Sequence, residues 1–156
     1  YDPELIRAIT RRALERIGNA EGLPVNLLIT RRNTVQRRIL NEELLLQRFP
    51  ELHLQVVALE DLSFTEQVAL FARAGVIIAT HGAGLTNLLF ARAPLVIELY
   101  PHVREEKDSS YFFQLTDALG IRHHLFTYAP ANEHQDLRLD PDMLDAIAAA
   151  VREGSS

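Results

Sequence analysis

The sequence predicts an α/β domain of the Rossmann-like kind, three layers deep with a mostly parallel sheet. Two patterns carry that expectation. Short apolar runs alternate with segments of helical periodicity along the whole chain. Several of the runs, such as Val76-Ile77-Ile78 and Leu95-Val96-Ile97, are continuous rather than alternating, as in strands buried on both faces. A third observation agrees: helix-start chemistry recurs just ahead of the periodic segments.

The elements follow in order. Asp2-Pro3 is a helix start, with Asp as N-cap and Pro at the first helical position; Ile6, Ile9, Ala13 and Ile17 supply the apolar stripe and Gly18 the stop. Val25 to Thr30 is a buried strand. The Arg-rich segment 31–38 has no apolar period and is a loop. Asn41 is expected to cap a helix running to about Phe49, with Leu40 and Leu45 as a hydrophobic staple. Leu54 to Leu59 is a second strand. Ser63-Phe64-Thr65-Glu66 has the lettering of a capping box, with Phe64, Val68 and Phe71 as the buried stripe behind it. Val76 to Ala79 is a third strand, followed by a glycine turn and a short helix. Leu95 to Leu99 is the fourth strand, and residues 101–109 a solvated loop. A helix from Ser110 to Leu119 ends at Gly120, and Ile121 to Tyr128 is the last strand. Residues 129–139 are a polar loop. Asp140-Pro141 opens the final helix, with Leu144, Ile147 and Val151 on one face, and Gly154-Ser155-Ser156 frays.

Composition sets outer bounds. At 156 residues, 47% hydrophobic and 24% charged, the chain suits one globular domain (residues 1–156) with a real core. It has no apolar run of the ~18 residues that suggest a membrane helix. Zero cysteines exclude disulfides, thiol catalysis and zinc–thiolate sites. A net charge of −5 argues against nucleic acid as a partner. The opening Tyr1-Asp2-Pro3-Glu4 lacks both Met and a basic-then-apolar leader, so the chain is expected to be a segment of a longer protein. The expected setting is the cytoplasm of a bacterium.

The most informative stretch is Ala79-Thr80-His81-Gly82-Ala83-Gly84-Leu85-Thr86-Asn87. Strand, glycine turn and helix in that order aim backbone N–H groups and a positive helix end above the sheet, a natural seat for phosphate. The plain alternative is a turn in which Gly serves backbone geometry alone; the polar His81, Thr86 and Asn87 beside the glycines favour the binding reading and are candidate ligands with them. Asn87 stands where a dinucleotide fingerprint needs its third Gly, and no Gly-Lys-Ser/Thr occurs, so NAD and P-loop chemistry rank low. Four arginines (Arg31, Arg32, Arg37, Arg38) follow the first strand. Arg31, which leaves the strand first, and Arg38, which approaches Asn41, are the favoured phosphate ligands, against the alternative of a solvated basic face. Glu98, ending a strand just after the turn, can accept from ribose hydroxyls or pair with an arginine. His81 can donate to a phosphate or stabilise a leaving group; alternatively its ring bonds a backbone carbonyl. His123 and His124 point to opposite sides of a strand and read as structural. His53, His102 and His134 have no evident partner. Glu60-Asp61 and Asp140-Pro141-Asp142 read as helix-start chemistry rather than metal ligands.

Two segments together resemble a known family. One is Ile29-Thr30-Arg31-Arg32-Asn33 with Arg37-Arg38-Ile39-Leu40-Asn41-Glu42. The other runs from Leu59-Glu60-Asp61-Leu62-Ser63-Phe64 through Thr80-His81-Gly82-Ala83-Gly84-Leu85-Thr86-Asn87-Leu88-Leu89-Phe90 to Val96-Ile97-Glu98-Leu99. They are similar to the catalytic region of glycosyltransferase family 61, over roughly residues 25–128. The resemblance implies one half of a GT-B fold, in which two Rossmann-like domains face each other across the active site. It implies inverting transfer from a nucleotide diphosphate sugar, usually UDP-linked, to a glycan or protein-linked acceptor. This chain would be the C-terminal, donor-binding half. Arg31 and Arg38 would contact the donor, His81, Gly82, Ala83, Gly84, Leu85 and Thr86 would hold its diphosphate, and Glu98 its ribose. Two departures stand out: the acceptor-side domain, where the catalytic base is expected, is absent, and Pro94 after Ala91-Arg92-Ala93 implies a shortened turn. No cofactor is called for, and fixed dipoles with arginines make metal independence the expectation. The alternative is a non-catalytic nucleotide-binding or regulatory module.

Overall fold

A computed structural model describes residues 2–17, 22–102 and 111–154. The stop at Gly18, the loop over 103–109, the helix start at Ser110 and the frayed Ser155-Ser156 lie outside these residues. Five parallel strands form one sheet: β1 Val25–Ile29, β2 Gln55–Val57, β3 Ala74–Thr80, β4 Leu95–Pro101 and β5 Arg122–Tyr128. Their order is β2-β1-β3-β4-β5. The helices are α1 Pro3–Ile17, α2 Glu43–Arg48, α3 Phe64–Arg73, α4 Tyr111–Leu119 and α5 Pro141–Gly154. The short helix after β3 is a 3-10 helix over Ala83–Phe90.

Strand alternation divides the core into two layers. Leu27, Ile29, Ile77, Ala79 and Val96 meet Ile6 of α1, Val68 and Phe71 of α3, Leu85 and Leu88, and Phe112 and Leu115 of α4. Leu28, Ile78, Ile97 and Leu99 meet Leu45 and Phe49 beside α2 and Ile147, Ala148 and Val151 of α5. Both faces are therefore covered, which is why the strands read as unbroken apolar runs. Each Leu or Ile taken fully out of water here contributes about 1.5–3 kcal/mol.

The order has one reversal. The chain steps from β1 outward to β2, then returns to place β3 on the other side of β1. In such sheets ligands bind beyond the strand ends at that reversal. Here it falls where Arg31 leaves β1 and His81 leaves β3.

The helix starts behave as their chemistry dictates. The Asp2 carboxylate accepts from Glu4 N at 3.0 Å, and Asp140 from Met143 N at 2.8 Å. The capping box at Ser63 and Glu66 is present in both directions. Gly120 closes α4 with a φ of +70°, a left-handed value that favours glycine.

Several expectations fail. Asn41 does not cap α2: its side-chain amide donates to Leu139 O at 3.0 Å and accepts from Leu139 N at 2.9 Å. Leu40, exposed at 39%, forms no staple. The reason is an unforeseen partner, because segment 38–41 runs parallel to 136–139, with Ile39 bridging Leu137. The stretch 129–139 is accordingly tied down, and Asp136, Leu137 and Leu139 are buried. Ile9 and Phe64 also leave their stripes and stand exposed, on neighbouring helices that flank a shallow groove. Finally, β2 is shorter than its apolar run, because Leu59–Asp61 turns into 3-10 helix.

Candidate functional site

The site is built at the carboxyl ends of β1 and β3. Directly after β1 the chain turns on itself: Thr34 N donates to Arg31 O at 2.9 Å, and Arg31 Nε donates to Gln36 O at 3.0 Å. The rest of the arginine loop is strapped across β3. Thr80 Oγ1 donates to Arg37 O at 2.8 Å, and Arg37 N donates to His134 O at 2.9 Å. Arg37 has a φ of +60°, a left-handed conformation uncommon for a side chain of its size. Its Nε donates to Gln135 Oε1 at 2.9 Å and its Nη1 approaches His81 O at 3.5 Å. Arg31 Nη1 lies so close to Gly82 that a Cβ there would stand 2.5 Å from it. Gly82 itself is extended, so the requirement for glycine comes from that approach and not from backbone strain.

Arg31 thus lies against Gly82, and Arg37 reaches the carbonyl of the residue before it. Burial, and then the Arg37 guanidinium, push the proton affinity of Arg31 down, with Glu60 offsetting part of this. An anion seated between the two would relieve the repulsion. The 3-10 helix adds donors. Its first internal hydrogen bond is Leu85 N to Gly82 O at 3.0 Å, so the amides of Ala83 and Gly84 precede it and have no helical acceptor. Tyr128, at the end of β5, faces both arginines, and burial raises its hydroxyl pKa to about 12. That hydroxyl donates to Gln135 O at 2.8 Å.

Beneath this basic rim lies a second cluster. Glu98 of β4 is fully buried. Its Oε1 is hydrogen-bonded to His81 Nδ1, and its Oε2 lies 3.0 Å from His123 Nε2 of β5. The His123 contact lacks hydrogen-bond alignment and is electrostatic. Burial pushes the Glu98 carboxyl up, but contacts from His123 and His81 outweigh it, and the net direction is down. A carboxylate only accepts, so His81 Nδ1 carries the proton. The His81 backbone is pinned by donation to Leu99 O at 2.9 Å, and its ring stands edge-on to Tyr100 and Phe112. On the far side, His123 Nδ1 meets Thr116 Oγ1 of α4 at 2.9 Å. The side chains of His81, His123 and Glu98 are 16%, 2% and 0% exposed, so of the three only His81 keeps appreciable exposed surface. Among the described residues, no group of three His, Cys, Asp or Glu side chains is arranged to hold a metal ion.

The remaining sequence candidates are dispersed. Arg38 is bound at its backbone N and its guanidinium to Asp136, the shortest contact being 2.7 Å. Those Arg38 hydrogen bonds, with help from Asn132, hold the Asp136 carboxyl at about 2. Asn87 turns toward α3, donating to Gln67 Oε1 at 2.9 Å and to Gly84 O. Leu85 is core, while Ala83 and Thr86 are exposed. A Cβ on Gly84 would meet Leu59 Cδ1 at 2.8 Å. Arg31, His81 and Gly82 are brought together; Arg38 and Asn87 are engaged elsewhere. Sequence reasoning preferred Arg38 to Arg37, read His123 as structural without placing it behind Glu98, and did not single out Asp136. Only Arg37 had a visible signal, as one of four arginines in the loop, and nothing local separated it from Arg38.

Comparison with known proteins adds a family. The model of the family described as Glycosyltransferase 61 matches residues 2–97, a stretch that includes the arginine loop and the glycine turn and stops one residue short of Glu98. The chain is 36% identical over 104 residues to the mouse (Mus musculus) protein O-linked-mannose beta-1,4-N-acetylglucosaminyltransferase 2, covering 62% of this chain and 18% of that protein. It is 31% identical over 139 residues to the chicken (Gallus gallus) EGF domain-specific O-linked N-acetylglucosamine transferase, covering 83% of this chain and 25% of that protein. The fruit-fly (Drosophila melanogaster) EGF domain-specific transferase is 34% identical over 96 residues, covering 59% of this chain and 18% of that protein. The chain therefore spans only about a fifth to a quarter of the length of these relatives.

Proposed function

This chain belongs to glycosyltransferase family 61, and from that premise we propose that it is the donor-binding half of a sugar-transferring enzyme. Its guest is a nucleotide diphosphate sugar, UDP-linked, whose diphosphate lies over Gly82. One observation supports this reading above the others. Arg31 rests against Gly82 at the reversal of the sheet, with the Arg37 charge near enough to add to burial in lowering its proton affinity.

The chemistry follows from that arrangement. An acceptor hydroxyl oxygen attacks the anomeric carbon from the face opposite the diphosphate, with inversion. The bond from that carbon to the diphosphate oxygen breaks, and its electron pair stays on the leaving nucleoside diphosphate. The acceptor proton passes to a base on the facing domain of a GT-B pair. Charge builds on the leaving group as the bond breaks. Fixed donors aimed at that charge stabilise the transition state more than the ground state. Arg31, Arg37, the amides of Ala83 and Gly84, and the His81 ring supply those donors. Guanidinium groups in this place do the work that a divalent cation does elsewhere, so the proposed transfer is metal-independent. The names of the mouse and chicken relatives point to a protein-linked glycan or hydroxyl as acceptor.

Calorimetric titration of the chain tests the donor site. UDP is expected to bind, with no matching signal from NADH, and Arg31→Ala is expected to weaken it. Absence of UDP binding at millimolar concentration overturns the reading. Sugar transfer by the full-length protein, with and without a chelator, then separates an enzyme from a nucleotide-binding module.

A further inference from the structure

The sequence offers Glu98 as a ribose ligand, yet its carboxylate is fully buried and both oxygens face histidines. A group with no exposed surface and both oxygens engaged cannot take a sugar hydroxyl without breaking one of those contacts. The question is then what a buried carboxylate does there.

Three strands answer it. β4 supplies Glu98, the residue after β3 supplies His81, and β5 supplies His123. In the register, Glu98 sits opposite Ala79 on one side and Leu125 on the other, so its neighbours reach it from two strands. His123 and Thr116 hold it from behind, and Thr116 is anchored by donation to Phe112 O or Phe113 O, each at 3.0 Å. From the front, His81 donates through Nδ1, and Tyr100 and Phe112 pack its ring edge-on. A ring fixed through Nδ1 turns its other nitrogen away from the carboxylate. His81 is also the member of the cluster with exposed surface, and its own carbonyl faces Arg37 Nη1. The free edge of the ring therefore belongs to the rim where Arg31 and Arg37 stand.

We propose that Glu98, backed by His123 and Thr116, is a positioning residue that orients His81 so that Nε2 faces the diphosphate of the donor, and that Glu98 itself does not touch the donor. This rests on the donor-site reading above. A histidine held through Nδ1 by a buried carboxylate keeps one ring orientation, and in its doubly protonated form, where both ring nitrogens are donors, Nε2 donates to an anion without reorganising. The groups facing the ring are Glu98 from β4, Tyr100 from β4, Phe112 from α4 and the Arg37 guanidinium at its carbonyl.

The test has two independent readouts on the whole chain. Long-range nitrogen–proton NMR of ¹⁵N-histidine protein, at a pH where the ring is neutral, reports the His81 tautomer without any ligand. The expected result is Nδ1–H in the native chain and loss of that preference in Glu98→Gln. An Nε2–H tautomer in the native chain overturns the proposal, and needs no variant to fold. UDP titrations of the native chain, Glu98→Gln, His81→Ala and the double variant give the second readout. Glu98→Gln is expected to lower affinity about tenfold, the scale of one charge-assisted hydrogen bond. In the His81→Ala background it is expected to add less than about twofold, because an effect carried through His81 vanishes with it. The same loss in both backgrounds, or a loss that disappears with 2′,3′-dideoxy-UDP, would make Glu98 a direct ribose contact and overturn the proposal. If the native chain binds no UDP, the donor reading fails, while the tautomer still decides whether Glu98 orients His81.

Discussion

The two charged clusters at the carboxyl end of the sheet are built on opposite plans. On the rim, Arg31 and Arg37 repel each other, partly exposed, over a glycine and two helical amides. Beneath it, Glu98 is closed off from water and bracketed by His81 and His123. The lower cluster is closed on itself, each member meeting another. In the upper one burial, and then the Arg37 charge, lower the proton affinity of Arg31, and Glu60 offsets part of that. The buried cluster is arranged as scaffold, and the partly exposed arginines are the side proposed to face the guest. His81 belongs to both, its Nδ1 bound below and its ring edge exposed above.

The largest expected effect breaks the lower cluster. Glu98→Leu would leave two imidazoles facing an apolar gap in place of a carboxylate. Removing one partner of a buried ionic cluster costs roughly 3–5 kcal/mol, and urea denaturation is expected to show a loss of that order. A change below about 1 kcal/mol would mean that the cluster contributes little to the fold. The acid limb sharpens the point. The folded Glu98 carboxyl sits below its ordinary value, so its stabilising share is present above the unfolded pKa and is lost as pH falls through the folded one. Glu98→Gln is therefore expected to lose less stability on acidification than the native chain.

Breaking the upper cluster should have the reverse signature. Arg31→Ala is expected to weaken UDP binding about 10–100-fold, the range of a lost hydrogen bond to a charged group. It should leave thermal stability unchanged or slightly raised, since it also removes the repulsion with Arg37. A melting temperature that drops by several degrees would place Arg31 in the scaffold instead.

Arg38, one residue from Arg37, is a built-in control. It spends its guanidinium on Asp136, a buried carboxylate held at about 2. That value lies below the unfolded ~3.9, so the contribution is complete above about pH 4 and is lost between about pH 4 and pH 2. Asp136→Ala also strips the acceptor from Arg38 N. It is expected to cost about 1–3 kcal/mol at neutral pH and to flatten the acid limb in chemical denaturation. UDP affinity should fall far less than in Arg31→Ala; an equal loss would return Arg38 to the donor site.

What the sequence made legible here is what short-range patterns encode. The continuous runs of β3 and β4 announced a parallel sheet, and Asp2, Ser63 and Asp140 announced their helices, because each signal acts within a few residues. Asn41 misled because its partner, Leu139, is 98 residues away. Arg38 and Arg37 could not be told apart because the difference lies in Asp136 and Gln135, across the same long separation. Ile9 and Phe64 kept the helical period yet face outward, since periodicity reports a stripe and not what covers it. His123 was read as structural, and its place behind Glu98 depended on the β4–β5 register, which no local pattern carries.

The smallest expected effect separates the two glycines of the turn, which look equivalent in sequence. At Gly82 an added Cβ would lie 2.5 Å from Arg31 Nη1, and at Gly84 it would lie 2.8 Å from Leu59 Cδ1. Each obstacle is the end of a flexible side chain, so both alanine variants should fold. The obstacles differ in what they do when they move. Displacing the Leu59 methyl disturbs packing, at a cost of about 1 kcal/mol or less. Displacing the Arg31 guanidinium moves a cation off the proposed diphosphate seat. Gly82→Ala is therefore expected to weaken UDP binding several-fold at nearly native stability. Gly84→Ala should show the larger stability loss and the smaller affinity loss. The ratio of the two effects, read by calorimetry and thermal unfolding on the same preparations, is the measurement. If Gly84→Ala is the more damaging to UDP binding, the phosphate seat lies along the 3-10 helix, and Arg31 over Gly82 is not its centre.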